Sequence, residues 1–470
     1  MAYRESRRLK PKLFFRFIAA CLKACPDTNL DWGLSFRQPL SLLHERAECV
    51  SIRTMKKPGN FLRPFALLLT ITLPAISASN ASPAPTGKYI FFVGTYTEPG
   101  SKSKGIYAYS YDAGTAQITP LGLAAETTNP SWFTLSPNGR FLYAANEVQN
   151  YKGPNSGGVS AFSVDRDKDG RATGKLTFLN EVPTRGADPC YVSVDRTGKY
   201  ALVANYTGGS VAVFPIRDDG SLGEASDFVQ HTGHGTNLQR QEGPHAHSIN
   251  LSPDNRFAYV DDLGLDELFV YRFDSAKGTL APNDPPFVKL APGSGPRHFA
   301  LSPDGKFAYV VSEMAGTVTA LANDAASGTL HSLQTISTLP QYKIPRPEDF
   351  KRVTEDAEVE VHPSGKFLYA SNRGNTDTID SNSIAIFDVD AEKGTLTLAE
   401  VTSSGGKTPR SFEIDPTGAL LFVANQQSNN IVVFRIDRRP GSHLTKIGHL
   451  AQRKVLDVPS PVCVKFLKVE

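Results

Sequence analysis

Histidine, arginine and glutamate side chains recur beside short predicted strands along most of this chain. They are His245, His247, Arg297, His298, Glu313, Glu358, Arg373 and Arg410. Guanidinium groups bind carboxylates and phosphates, and a glutamate or histidine can move a proton near neutral pH. If these side chains converge, they form a site for an anionic, oxygen-rich ligand.

The positions of these residues follow an internal repeat. Its clearest copy is GPRHFALSPDGKFAYVVSE, from Gly295 to Glu313, which predicts a strand, a tight turn at residues 302–305 and a second strand. Proline fixes φ and glycine allows a positive φ, so the turn has a physical basis. Comparable segments begin at Ser131, Cys190, His245, Glu358 and Arg410.

Each repeat contains four predicted strands. The third is of the type SVAVFPI, and in three repeats a Gly-Thr-Leu turn introduces the fourth. Four short antiparallel strands repeated every fifty to sixty residues or so are typical of a β-propeller blade. Six complete repeats begin at Pro130, Pro189, Pro244, Pro296, about Ala357 and Pro409.

The strand count predicts a closed ring. The segment PVCVKFLK from Pro461 supplies one extra first strand, and the region after Lys88 supplies three strands without a first one. Joined, they make a seventh blade, and closure removes exposed sheet edges. We therefore predict an all-β, seven-bladed propeller in which N-terminal strands pair with the C-terminal strand.

First strands would line the central channel, so the polar residues named above would meet at its mouth. Glu147, Asn146, Asn205 and Asn425, at the ends of second strands, are further candidates. Each candidate has a structural alternative, because propeller channels also hold polar side chains and water. His362 is predicted to be a turn residue, and His231 and His234 lie in a glycine-rich loop that covers the mouth or is solvated.

Composition and the N-terminal region restrict the function further. A formal net charge of +3 over 470 residues gives no support to nucleic-acid binding. A basic start at Met55 and an apolar run from Phe65 to Ile76 are typical of a secretory signal peptide. We predict that residues 1–54 are an over-extended start, 55–81 the signal peptide, 82–87 a linker and 88–470 the propeller. The protein is then exported, to the periplasm or beyond, and is free of the membrane after cleavage; without that signal it is cytoplasmic.

The cysteines predict neither a disulfide framework nor a metal site. Only Cys190 and Cys463 lie in the propeller region, and both fall in strand patterns as small buried residues. No metal or other cofactor is predicted, and the oligomeric state stays open.

The segments RQEGPHAHS, GPRHFALSPDGKFAYVVSE, VHPSGKFLYASNRG, GKTPRSFEIDPTG and PSPVCVKF resemble the β-propeller lactonase family, which includes propeller-type 6-phosphogluconolactonases and carboxymuconate cyclases. The resemblance covers Lys88 to the C-terminus. It implies a catalytic set of His245, Arg297, Glu313 and Arg373, with His247, His298, Glu358 and Arg410 in substrate binding. Polar residues inserted after Arg373 depart from the family pattern.

The resemblance implies a hydrolase that opens a small-molecule sugar lactone in carbohydrate metabolism. Glu313 or His245 would act as the base, while Arg297 and Arg373 would bind the substrate's acid group and the developing negative charge. Two alternatives remain: a carboxymuconate-type cyclase, and an exported propeller that binds a ligand without catalysis.

Overall fold

The structure is a computed structural model that describes residues 86–339, 354–374, 382–436, 444–446 and 454–469. Within these ranges there are 29 β-strands and no helix, hence no helix that could span a membrane. The strands form seven antiparallel sheets, which confirms the predicted seven blades. The predicted start, the signal peptide and most of the linker lie outside the described residues.

Blades 1 to 3 follow in chain order, each written from the first strand outwards. Blade 1 consists of β4 (Pro130–Leu135), β5 (Phe141–Asn146), β6 (Gly158–Arg166) and β7 (Ala172–Pro183). Blade 2 consists of β8 (Pro189–Val194), β9 (Tyr200–Asn205), β10 (Ser210–Pro215) and β11 (Asp227–Gln230). Blade 3 consists of β12 (Ala246–Leu251), β13 (Phe257–Asp262), β14 (Glu267–Asp274) and β15 (Thr279–Lys289).

Blades 4 to 6 repeat this order. Blade 4 consists of β16 (Pro296–Leu301), β17 (Phe307–Ser312), β18 (Thr317–Asp324) and β19 (Thr329–Ser337). Blade 5 consists of β20 (Thr354–Val361), β21 (Phe367–Gly374), β22 (Ser383–Val389) and β23 (Leu396–Ser403). Blade 6 consists of β24 (Pro409–Ile414), β25 (Leu420–Asn425) and β26 (Asn430–Ile436), with β27 (Leu444–Lys446) and β28 (Val455–Asp457) both paired to β26.

Blade 7 joins the two ends of the propeller, as the strand count predicts. Its order is β29 (Pro461–Lys468), β1 (Lys88–Thr95), β2 (Gly105–Asp112) and β3 (Gln117–Glu126). Tyr89 pairs with Lys468, and the register runs on to Gly94 opposite Cys463. An aromatic cluster seals this blade against blade 6: the ring centroids of Phe91 and Phe422 are 5.2 Å apart.

The innermost strands surround the channel. In sequence, β4, β8, β12, β16, β20, β24 and β29 each contact the next, and β29 contacts β4. The turn after each first strand sets the direction in which the chain leaves that strand. In blade 4, Gly305 has a φ of 71°, and the Ser302 hydroxyl accepts a hydrogen bond from the Phe307 amide at 3.0 Å. Because this turn recurs in the repeats, the corresponding end of each first strand lies at the channel.

Candidate active site

A β-bulge lies near the start of the first strand in every blade. In blade 4 the register with β17 shifts between Pro296 and His298, which leaves Arg297 as the extra residue. The same shift isolates His247 in blade 3 and Arg410 in blade 6. A bulge re-aims the side chains on either side of it, which explains how the neighbours Arg297 and His298 both point into the channel region.

Three guanidinium groups contact one carboxylate, and one of them, that of Arg297, comes from a bulge. Glu313, which follows β17, contacts Arg297 Nε through Oε2 at 3.0 Å and Arg373 Nη2 at 2.6 Å. Its Oε1 accepts a hydrogen bond from Arg240 Nη2 at 2.5 Å. Burial alone would raise the pKa of Glu313, but the three cations outweigh burial and hold that pKa well below its usual range. Glu313 is therefore a fixed anion and a weak base.

Arg297 is the most buried of the three arginines in this cluster. It is 1% exposed, and its Nη1 donates hydrogen bonds to the Ala357 carbonyl at 2.7 Å and to His298 Nε2 at 3.1 Å. Burial and the nearby cations lower the pKa of Arg297 to about 10, so it remains charged at neutral pH. Its contacts support the Glu313 carboxylate from inside the channel.

His298 is held as a neutral imidazole. Its Nε2 accepts from Arg297, so its proton is on Nδ1, which faces Glu358 Oε1 at 2.9 Å. Burial, the largest effect, and the Arg297 charge lower the pKa of His298 to about 4. Burial would raise the pKa of Glu358, but the contact with His298 and the charges of Lys465 and Arg297 together outweigh burial and lower that pKa.

This neutral histidine predicts acid sensitivity. His298 has a pKa of about 4 in the folded protein against an ordinary 6.5, so the unfolded chain binds more protons between those values. The free energy of unfolding should fall by roughly 3 kcal/mol from this residue as the pH drops from 6.5 to 4. Urea unfolding across that range should show a shallower fall in His298→Gln, while the exposed His331→Gln keeps the wild-type slope. Equal slopes in all three proteins would refute this origin.

Aromatic side chains fill the channel beside His298. Its ring centroid lies 5.0 Å from that of Trp132, 5.3 Å from Tyr191 and 5.2 Å from His247. Burial and the charge of Arg297 hold the pKa of His247 well below its usual range, so His247 is neutral. These rings, which come from blades 1 to 4, form a packed layer that we call the channel plug.

His245 lies at the mouth, above the channel plug. Its Nδ1 faces the backbone carbonyl of Tyr206 at 3.1 Å, so Nδ1 carries the proton and the lone pair is on Nε2. That Nε2 is 3.4 Å from Glu242, an exposed residue. The ring stacks on Tyr206 at 4.6 Å, and its backbone amide donates to Asp262 at 2.8 Å. The ring of His245 is thus held in a fixed orientation, with Nδ1 towards the Tyr206 carbonyl and Nε2 towards Glu242.

Tyr206 links His245 to the arginine cluster. The Tyr206 hydroxyl lies 3.5 Å from Arg240 Nη2. The backbone carbonyl of the same residue holds His245. Behind Asp262, His231 Nδ1 lies 2.7 Å from its Oδ2 and His231 Nε2 lies 2.9 Å from the Tyr271 hydroxyl. His231 is therefore a buried residue that holds Asp262 in place behind the mouth.

A cavity of about 1150 Å³ opens beside Tyr206. Arg410 lines it, with its Nη2 3.5 Å from Glu147 and its guanidinium over the ring of Tyr96 at 5.3 Å. The Tyr96 hydroxyl also donates to Glu147 at 2.8 Å. Arg410 therefore faces the mouth as a separate group, without a direct contact to Glu313 in the described residues.

Other sequence candidates have structural contacts. The side-chain amides of Asn146, Asn205 and Asn425 donate to backbone carbonyls of the connections between blades, at Thr128, Thr184 and Ser404. His362 caps its own turn through Ser364 at 2.8 Å, as predicted. Cys190 and Cys463 are buried and free, as predicted.

Three residues of the site were not identified from the sequence: Arg240, Tyr206 and Asp262. Tyr206 and Asp262 lie at the ends of second strands, the same repeat positions that predict Glu147, Asn146, Asn205 and Asn425, so the repeat pattern does point to them. Arg240 belongs to the long connection between β11 and β12, and this segment is not part of the repeated pattern. Among the described residues, no group of three His, Cys, Asp or Glu side chains could hold a metal ion.

The fold and the mouth together define a seven-bladed propeller with an arginine, glutamate and histidine site at one end of its channel. Residues 90–466 match the family described as "Lactonase, 7-bladed beta-propeller", and the chain belongs to that family.

Relatives and solved structures agree with this family. The 6-phosphogluconolactonase of Bacillus subtilis is 36% identical over 380 residues, which cover 81% of this chain and 99% of that protein. The 6-phosphogluconolactonase of Formosa agariphila is 33% identical, with 78% and 96% covered. The structure of the periplasmic gluconolactonase of Pseudomonas aeruginosa superposes with a TM-score of 0.70 at 34% identity, covering 82% of this chain and all of that one.

Proposed function

We propose that the protein is a lactonase that hydrolyses a sugar lactone at the mouth of the channel. The observation that carries this proposal is the cluster of three guanidiniums held on Glu313, together with the oriented imidazole of His245 beside Tyr206, whose hydroxyl contacts Arg240. Lactone opening needs an activated water and stabilisation of the charge that develops on the carbonyl oxygen. The names of the relatives, two of them 6-phosphogluconolactonases, support the same reaction.

His245 takes the role of general base in this proposal. The water attacks the lactone carbonyl as His245 Nε2 accepts its proton. The ring C–O bond then breaks, and the imidazolium returns a proton to the leaving alkoxide. The sequence left Glu313 or His245 as the base; the three cations on Glu313 favour His245, because a carboxylate so strongly stabilised accepts a proton poorly.

Arg373 stabilises the developing oxyanion. Its side chain is 12% exposed, against 2% for Arg297, so it can meet a ligand that Arg297 cannot. Arg297 then acts through Glu313, which fixes the other guanidiniums. Arg410 and the 1150 Å³ cavity would take the hydroxyl-bearing part of the sugar.

Export is part of the proposal. The gluconolactonase that resembles this chain is named as periplasmic, which supports the predicted signal peptide from Met55. Phosphorylated sugar lactones arise inside cells, so an exported enzyme would meet unphosphorylated aldonolactones.

The test is hydrolysis of 6-phosphogluconolactone, glucono-1,5-lactone and carboxymuconolactone by protein begun at Ala81, with spontaneous hydrolysis subtracted. Arg373→Gln should lower kcat about a hundredfold, as loss of an oxyanion donor does. Arg272→Gln, an exposed change on β14, should match the wild type. Absence of turnover on all three lactones would reject the proposal in favour of a binding propeller.

A further inference from the structure

A second cavity, of about 280 Å³, lies at the end of the channel opposite the mouth. Leu301 and Val361, the last residues of β16 and β20, line it, whereas Arg297 stands at the start of β16. Glu358, which the family resemblance implies in substrate binding, lines this cavity and not the one beside Tyr206. We call it the rear cavity, and it is separate from the proposed lactonase site.

Carboxylates outnumber cations in the rear cavity. Of the described residues that line it, three are acidic and one is basic: Glu358, Glu360, Glu413 and Lys465. The Lys465 ammonium is already paired, because its Nζ lies 2.5 Å from Glu413 Oε2. One lysine cannot neutralise three carboxylates, so the cavity can accept a further positive charge.

One carboxylate oxygen in the rear cavity lacks a donor. Glu358 Oε1 faces His298 Nδ1 at 2.9 Å, but Glu358 Oε2 is buried and has no hydrogen-bond partner in the part of the chain that the structure describes. The side chain is 5% exposed, and a buried acceptor without a donor costs free energy. A donor that enters the cavity would remove this cost.

The neighbouring carboxyl groups also lack positive charge. Burial, followed by repulsion from Glu413, holds the pKa of Glu360 well above its usual range, although Lys465 opposes both effects. Burial is the main cause of the raised pKa of Glu413, and the charge of Lys465 again opposes it. An added cation would stabilise the anionic form of each group.

The aromatic walls of the rear cavity suit an organic ammonium ion. Lys465 Nζ lies 4.8 Å from the ring centroid of Trp132, which stacks on Tyr191 at 4.5 Å, and ring faces attract cations. Phe299 lines the same cavity. The acidic side chains do not converge as metal ligands do, since the described residues include no group of three that could hold a metal ion. A ligand with several N–H donors fits this arrangement better.

We propose that the rear cavity binds the primary ammonium group of a small amine. The ammonium donates a hydrogen bond to Glu358 Oε2, Glu360 supplies further negative charge, and the alkyl part of the amine packs against Trp132. The site lies beyond the channel plug from the mouth, so this inference does not depend on the lactonase proposal.

Tryptophan fluorescence can report on this site directly. The sequence contains two tryptophans, Trp32 and Trp132, so the full chain with Trp32→Phe keeps Trp132 as its only indole. Titration of this parent protein at pH 8 with ethylammonium chloride should give a saturable change, and sodium chloride at the same ionic strength should not. Tetramethylammonium chloride, which has the same charge and no N–H donor, should bind at least about tenfold more weakly, the usual loss of a charged hydrogen bond.

Opposite changes on two residues test the assignment. Glu358→Gln should weaken ethylammonium binding about tenfold or more, because the acceptor loses its charge. Lys465→Gln should tighten the binding, because Glu413 then lacks its internal partner. Glu392→Gln, an exposed change between β22 and β23, serves as the matched control and should bind as the parent does.

The outcomes that would overturn the proposal are distinct. If Glu358→Gln unfolds at a lower temperature than the parent, Glu360→Gln replaces it, and the same loss of affinity is expected. Equal affinities in the parent and the glutamine variants, an ethylammonium response no larger than that of sodium chloride, or equal binding of tetramethylammonium would refute the site. Saturation by magnesium chloride without any ethylammonium response would refute it in favour of a metal site.

Discussion

Replacing His245 with alanine should lower kcat about a hundredfold or more, the usual contribution of a general base, with a much smaller change in KM. The reason is the orientation of the ring: the Tyr206 carbonyl holds the Nδ1 proton at 3.1 Å, so Nε2 is the nitrogen that can accept a proton from water. Initial rates on whichever lactone the protein turns over fastest measure the effect.

The neighbouring loop offers a matched control. His234 is exposed in the same connection between β11 and β12, and His234→Ala should keep wild-type rates. Turnover of His245→Ala within about threefold of the wild type would contradict a hundredfold role for this base and would return Glu313 to consideration.

The exchange Glu313→Gln should reduce both turnover and stability. Without the carboxylate, the buried Arg297 loses its counter-ion and three guanidiniums repel one another. Removing one partner of a buried ion pair costs about 3–5 kcal/mol, and disorder of Arg240 and Arg373 should lower kcat about a hundredfold. Urea unfolding and initial rates measure the two losses on the same preparation.

An exposed ion pair, that of Lys104 with Glu126, provides the control that assigns the loss of stability to the arginine cluster. Glu126→Gln should change the free energy of unfolding by less than about 1 kcal/mol. The double variant Glu313→Gln with Arg297→Met should recover part of the stability but none of the turnover. Recovery of both would mean that the cluster only supports the fold.

The architecture was predictable because the repeat is regular. Prolines before the first strands mark successive blades, and the surplus strand from Pro461 predicts the closure that Tyr89 and Lys468 make. The repeat predicts Glu313 because it follows a second strand, and it predicts the histidines of GPHAH because they lie at the start of a first strand. Periodicity alone is enough for this part of the molecule.

The remaining parts of the site depend on irregular features. Arg240 reaches Glu313 from a connection that differs in length and composition from those of other blades. The bulge at Arg297 depends on the pairing of β16 with β17, which strand alternation does not predict. Most of the polar insertion after Arg373 lies outside the described residues, so its predicted effect on the mouth stays a prediction.

The channel plug has a consequence for the order of events in turnover. His298, Trp132, Tyr191 and His247 occupy the channel below Arg297. The small cavity beyond them, of about 280 Å³, is lined by Lys465 and Glu413, which form an ion pair at 2.5 Å. With the channel plug below Arg297, the arginine cluster is reached from the mouth, so the hydroxy acid leaves by the route the next lactone takes. Because the product carries a new carboxylate past Arg240 and Arg373, its departure competes directly with substrate arrival.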